Sequence, residues 1–226
     1  MLTYTEHGTH VARNSHAERH DTQPTEALMS RKPVHLAVYD TFADWETGHT
    51  TAWLARVGYE IRTVGPSAAP VTSIGGLRVQ PELSLAELRP EDSSLLILPG
   101  ADLWDTSDDL APFARTARAF LDAGVPVAAI CGATAGIARE GLLDDRTHTS
   151  GAAMYLAASG YKGGERYVEA DAVTDGDLIT AGPTEPVAFA REVFGRLGDV
   201  FEGEKLDAWY RLFHDSDPAA YETLNS

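Results

Sequence analysis

VPVAAICGATAGIAREGLL, residues 125–143, decides the fold of this chain. It opens as an apolar run of the length of a buried strand and ends at Cys131. Small residues follow at once: Gly132, Ala133, Ala135 and Gly136. A helical pattern then runs from near Ala133 to Glu140, closed by Gly141. A strand turning directly into a helix needs such neighbours, because the turn is tight and the helix passes close to the sheet. Cys131 would then stand at the strand's carboxyl end with its Sγ toward the helix N-terminus. Free N–H groups and the helix dipole there predict a stabilised thiolate, with a pKa lowered from that of a free cysteine. A buried structural cysteine is the plain alternative for a lone Cys.

Working outward, the same alternation repeats. VHLAVY (34–39) is a short apolar strand, and WETGHTTAWLARV (45–57) has helical spacing. Trp45, Thr47, Ala52, Trp53 and Val57 are its candidate core contacts, and Gly58 ends it. YEIRTVG (59–65) is a second strand, and VTSIGGLRVQ (71–80) a hairpin turning at Gly75-Gly76. SLAELRP (84–90) predicts a short helix stopped by Pro90. SLLILPG (94–100) is a parallel-type strand, and LAPFARTARAFLDAG (110–124) an amphipathic helix with Phe113, Ala117, Phe120 and Leu121 on one face. Residues 152–158 predict a helix, and residues 168–182 two strands around Asp175-Gly176. PVAFAREVFGRL (186–197) predicts a helix with Pro186 in its first turn. EKLDAWYRLFHD (204–215) predicts one more, carrying Leu206, Trp209, Tyr210, Leu212 and Phe213. The alternation implies an α/β class, a flavodoxin-like three-layer sandwich around a mainly parallel sheet. Sites in such folds lie at the strands' carboxyl ends.

The whole chain has 226 residues, enough for one large domain, and its 43% hydrophobic content excludes wholesale disorder. A net charge of −16 argues against nucleic-acid and anionic membrane partners. One cysteine permits no intrachain disulfide and no Cys-rich metal site, and it suits a reducing cytoplasm. No apolar run approaches the ~20 residues of a membrane span, and the N-terminus lacks the apolar segment of a secretory signal. Residues 1–31, with His7, His10, His16 and His20, read as a disordered tail. Met29 is an alternative start. Residues 32–200 form the expected domain, and residues 201–226 a C-terminal helical extension. The Trp209, Tyr210 and Phe213 stripe suits either a homodimer contact or packing within one subunit. GxxxxGK[ST], HExxH, GxSxG and GxGxxG are absent, so neither a cofactor nor a metal is expected.

Four segments together resemble the DJ-1/PfpI superfamily, relatives of the class I glutamine amidotransferase domain. They are VYDTFADWET (38–47), ILPGA (97–101), AAICGATAG (128–136) and TAGPTEPVAFAREV (180–193). The resemblance implies that Glu46 contacts Cys131. A protonated carboxyl there would donate to a thiolate, since two anions at hydrogen-bond distance disfavour double ionisation. Asp44 and Asp40 are competing carboxylates, and a solvated first-turn glutamate is the plain alternative. The ILPGA loop implies an oxyanion hole from the N–H groups of Gly100 or Ala101 and of Gly132. Ala101 stands where relatives carry a second glycine, so its amide serves only at negative φ.

The chain also departs from hydrolytic relatives. The protease-like branch has a histidine directly after the cysteine, where this chain has Gly132, and no His-x-Glu triplet follows Cys131. His148, in RTHTSGAAMYL (146–156), lies near the position of a site histidine in several relatives and is the candidate third catalytic residue. An apolar-flanked structural histidine is its alternative reading. Thr149, Ser150 and His49 are candidate pocket residues, and Glu185 is a further carboxylate to place. The expected activity is attack by Cys131 on a small-molecule carbonyl or amide, of glyoxalase, deglycase or amidohydrolase type. The other reading is redox sensing through oxidation of Cys131 without turnover.

Overall fold

The computed structural model describes residues 31–226. The expectations for the N-terminal tail, its histidines and Met29 concern residues outside that range. The central strands are β1 (Val34–Ala37), β2 (Ile61–Gly65), β6 (Leu95–Leu98), β7 (Val127–Ile130) and β9 (Leu178–Ala181). Two-residue β5 (Leu83–Ser84) and β8 (Ala172–Asp175) form the edges, and β3 (Val71–Thr72) with β4 (Arg78–Val79) makes the separate hairpin. The sheet order is β5-β2-β1-β6-β7-β9-β8, parallel except for the β8–β9 pair. β1, β6, β7 and β9 are buried along their whole length, which is why they read as apolar runs broken only by His35 and Thr180. β8 leads into the Asp175-Gly176 turn and β9 leaves it; Gly176 has φ +63°.

The helices are α1 (Gly48–Arg56), α2 (Leu103–Thr106), α3 (Ala111–Asp122), α4 (Gly132–Arg139), α5 (Ala153–Ala157), α6 (Pro186–Leu197), α7 (Lys205–Phe213) and α8 (Ala220–Asn225). The β1–α1–β2 connection winds one way across the sheet, and β6–α3–β7 winds the other. Right-handed crossovers therefore place α1 and α3 on opposite faces. α6 joins α1, and α4 joins α3. The winding reverses between β1 and β6, so the crevice lies at their carboxyl ends. The loops bearing Glu46 and Gly100 leave these two strands, and Cys131 follows neighbouring β7.

Several expectations are corrected. Residues 84–90 are not a helix: Leu85 gives its N–H to Gly65 at the sheet edge, and Glu87 ties back to Ser84. The helix expected from Trp45 starts later. Asp44–Glu46 is a 3-10 turn, and Trp45 is 52% exposed. Thr50 and Leu54 are the buried positions of α1, and Ala52 faces outward. α2 and α8 were not foreseen. Of the aromatic stripe on α7, Trp209 is fully buried against Trp53, Phe194, Phe201 and Phe213, while Phe213 itself is 40% exposed. Residues 31–226 form one compact unit. No described helix is long and apolar enough to cross a membrane.

Candidate active site

Cys131 sits at φ +58°, ψ −127°, between β7 and α4. A non-glycine residue held there costs roughly 1–3 kcal/mol, and the surrounding packing enforces it. The Cys131 N–H is fixed on the Ala181 carbonyl at 3.1 Å. The Cys131 carbonyl accepts the Thr134 hydroxyl at 2.5 Å, and Thr134 in turn meets Ser150 Oγ at 2.7 Å. The small residues after Cys131 make room for Trp104. A Cβ on Gly136 would stand 2.2 Å from the Trp104 ring, so only glycine lets α4 lie this close. Trp104 Nε1 donates to the Pro99 carbonyl and to Tyr39 Oη, both at 3.1 Å, locking the loop after β6 beneath the elbow.

Glu46 reaches this point from the turn after β1 and is fully buried. Its Oε2 accepts the Gly100 N–H at 2.6 Å. Its Oε1 has no hydrogen-bond partner among the described residues, and the Cys131 thiol lies on the same side of Gly100: a Cβ there would stand 3.0 Å from Oε1 and 2.9 Å from Sγ. Burial pushes the Glu46 carboxyl up to about 7, against the lowering effect of the Gly100 N–H. Burial, then the Glu46 charge, push the Cys131 thiol up to about 12, although the Gly132 N–H favours the thiolate. The expected lowered thiol pKa is therefore corrected: desolvation and a like charge outweigh the helix N-terminus. The two groups titrate as a pair that loses one proton near 7 and keeps the other. In that state the remaining proton can sit on either atom.

The oxyanion donors also need revision. The Gly100 N–H belongs to Glu46 and is not free. Ala101 is not among the described positive-φ residues, and no described acceptor takes its N–H. Its carbonyl lies 3.3 Å from where a Cβ of Gly132 would stand. Of the expected donors, the Gly132 N–H is the one that meets the Cys131 sulfur, and Ala101 adjoins Gly132 through its carbonyl.

A cavity of about 330 Å3 opens beside Cys131, lined by Asp105, Gly151, Ala152, Tyr155 and Pro183. His148 is not on that wall. Its Nδ1 meets the Arg146 carbonyl at 2.7 Å and its Nε2 meets Tyr161 Oη at 3.1 Å, so both ring nitrogens are engaged. Burial lowers its pKa. His49 packs on Trp209 and Phe213, and Thr149 is tied to Thr180 and the Ala170 carbonyl. Ser150 touches the elbow only through Thr134. Asp40 and Asp44 hold the β3–β4 hairpin, through the Thr72 N–H and the Ser73 hydroxyl. Glu185 lies with Asp171 and His214, whose donor atoms fall within 4.8 Å of one another outside the cavity lining. Asp105 and Tyr155 were missed: Asp105 lies on the four-residue α2, which shows no periodic signal, and Tyr155, on a helix that was foreseen, meets it only in the folded chain.

The DJ-1/PfpI family model matches residues 32–196. The chain belongs to the DJ-1/PfpI family. It is similar to YoaZ of Bacillus subtilis, named an uncharacterized protease: 36% identical over 209 residues, covering 88% of this chain and 99% of YoaZ. The thiJ/pfpI family protein from Bacillus anthracis superposes with a TM-score of 0.82 at 36% identity, covering 86% of this chain and 96% of that one. The DJ-1 superfamily protein Atu0886 from Agrobacterium tumefaciens gives 0.73 at 35% identity, over 82% and 98% of the two chains. Family membership agrees with the α/β fold, and two of the resembling segments meet the cavity, through Cys131 and Pro183.

Proposed function

We propose that this DJ-1/PfpI protein is a cysteine-dependent enzyme acting on a small-molecule carbonyl, with Cys131 as nucleophile and Glu46 as its proton carrier. The observation that carries this reading is the buried Glu46 carboxyl. It is fixed by Gly100 on one oxygen and faces the strained Cys131 thiol with the other. The thiol proton passes to Glu46, and Sγ bonds the carbonyl carbon. The C=O π pair moves to the oxygen, beside the Gly132 amide, and that oxygen takes the proton back. The adduct is a neutral enzyme-bound hemithioacetal; turnover of a 2-oxoaldehyde then takes a proton shift from its sulfur-bearing carbon to the adjacent carbon, giving the thioester of a 2-hydroxy acid, and one water, which hydrolyses that thioester and frees the thiol.

Carbonyl addition is favoured over amide hydrolysis, because one proton carrier suffices for it. Hydrolysis needs a second acid for the leaving amine, and His148 has both ring nitrogens engaged elsewhere. The protease names of relatives do not supply that acid. The test is steady-state turnover of glyoxal and methylglyoxal against a peptide amide series, with Cys131→Ser and Glu46→Gln. Turnover of aldehydes, abolished in Cys131→Ser and reduced at least a hundredfold in Glu46→Gln, is expected. Peptide cleavage without aldehyde turnover would overturn the reading.

Redox sensing is the second reading, favoured by the Gly132 N–H directed at Sγ, which suits an anionic oxidised sulfur. Peroxide would be the oxidant, each equivalent adding one oxygen to Sγ and leaving as water. Its mark is a mass gain of two oxygens at Cys131 with no aldehyde turnover. A small-molecule substrate, a cytoplasmic location and a homodimer belong to this proposal, and sedimentation of the full chain tests the last.

A further inference from the structure

Asp105 is the sole formally charged side chain among the residues lining the Cys131 cavity. It is exposed, so it stands at the cavity mouth rather than in its floor. It does not hang freely: Tyr155 Oη donates to its Oδ1 at 2.7 Å, joining α2 to α5 across 50 positions of sequence. No described ion pair includes Asp105. Arg139, the cation whose charge reaches Tyr155, gives its N–H to the Trp104 carbonyl at 2.7 Å and does not line the cavity. Glu46 beneath the thiol adds no positive charge, and the chain's net charge of −16 acts in the same direction. A carboxylate pinned over an otherwise uncharged opening imposes a Coulomb term on anything charged that enters.

We propose that Asp105, held across the mouth of the Cys131 cavity by Tyr155, selects substrates by charge: neutral and cationic electrophiles reach the thiol, and anionic ones are held off. The proposal rests on the reading of Cys131 as a reactive nucleophile and names the substrate class of that site. Small neutral aldehydes and carbonyl compounds bearing an amine fit it. 2-Oxo acids and phosphorylated carbonyls do not. At the effective dielectric of a surface cleft, one such charge a few ångströms from the path changes rates by about fivefold, and salt shrinks the effect.

The test uses the chain's single cysteine. Iodoacetamide and iodoacetate both lose iodide to Sγ and differ chiefly in charge. The ratio of their second-order rates, divided by the same ratio for a free cysteine peptide, reports discrimination alone. The wild type should favour iodoacetamide. Asp105→Asn should lower the normalised ratio about fivefold and Tyr155→Phe about twofold, with wild-type discrimination fading in high salt. Asp102→Asn, an equal charge change at an exposed neighbour outside the cavity lining, should leave the ratio unchanged. An unchanged ratio in Asp105→Asn, or an equal drop in Asp102→Asn, overturns the proposal, as does a thiol inert to both reagents. Should Asp105→Asn not fold, Tyr155→Phe and the salt series carry the same decision. Aldehyde turnover measured alongside separates the two readings: discrimination without turnover keeps this inference and sinks catalysis, and turnover without discrimination does the reverse.

Discussion

Gly100 gives its backbone N–H to Glu46 Oε2 at 2.6 Å, and this bond turns the other carboxylate oxygen toward Cys131. One amide therefore positions the proton carrier. It also explains why that amide is not an oxyanion donor.

The pH dependence of Cys131 alkylation follows from the pair. Its first proton leaves near 7, with the second held to about 12. The wild-type rate should rise through pH ~7 to a plateau rather than titrate at the ~8.5 of a free cysteine. Glu46→Gln removes the like charge, so its profile should lose the step near 7 and show one inflection below 12. Iodoacetamide kinetics across pH 5 to 10 read both, and a single wild-type inflection near 8.5 would sink the coupled pair.

Stability carries the same signature with the opposite convenience. Glu46 binds its proton more tightly folded than unfolded, moving from 4.5 to about 7. Its contribution is fully present below the unfolded value and is lost as pH rises through the folded one. The cost reaches about 3 kcal/mol above pH 7. Glu46→Gln keeps an acceptor for Gly100 and should not show that loss. Urea midpoints at pH 4.5 and pH 8 should diverge between the two proteins, and parallel pH slopes would refute the buried, uncompensated carboxyl.

Gly100 has no room for a side chain. A Cβ there would stand 2.8 Å from Cys131 Cβ, 2.9 Å from Sγ and 3.0 Å from Glu46 Oε1. Gly100→Ala must push the pair apart or move the loop, at roughly 1–3 kcal/mol of stability. Aldehyde turnover should fall at least tenfold, since the proton carrier loses its reach. A variant with wild-type turnover and melting temperature would show that the contact is loose.

How much of this was legible in sequence depends on the range of the signal. The elbow was, because a strand, a cysteine and a run of small residues are contiguous, and the packing of Trp104 on Gly136 is the reason those residues are small. Glu46 was reached only through family likeness, since nothing local separates it from Asp40 or Asp44. Only in the folded chain do those two turn to the hairpin. The false helix at residues 84–90 arose because Leu85 and Leu88 have helical spacing, whereas the sheet edge claims the Leu85 N–H. Asp105 and Tyr155 meet only in three dimensions, on helices of four and five residues.

Helix α7 is predicted to be part of the core. Trp209 is fully buried among Trp53, Phe194, Phe201 and Phe213. Trp209→Ala should cost about 3–5 kcal/mol, with Trp209→Phe recovering much of it. Differential scanning calorimetry of residues 1–226 would show this, and a near-neutral Trp209→Ala would make α7 an appendage after all.

His148 separates a structural histidine from a catalytic one. Its ring nitrogens hold the Arg146 carbonyl and Tyr161 Oη, and neither bond leads to Cys131. His148→Gln should therefore leave alkylation of Cys131 within about twofold, while the loss of two buried hydrogen bonds lowers stability by roughly 1–3 kcal/mol. The pH sign is fixed by burial, which lowers the pKa below the unfolded 6.5. The neutral ring's contribution is present above that value and is lost as pH falls through it toward the folded pKa. The stability gap between wild type and His148→Gln should thus narrow from pH 8 to pH 5. A large loss of aldehyde turnover in His148→Gln, with stability unchanged, would instead restore the histidine to the catalytic set and reopen amide hydrolysis.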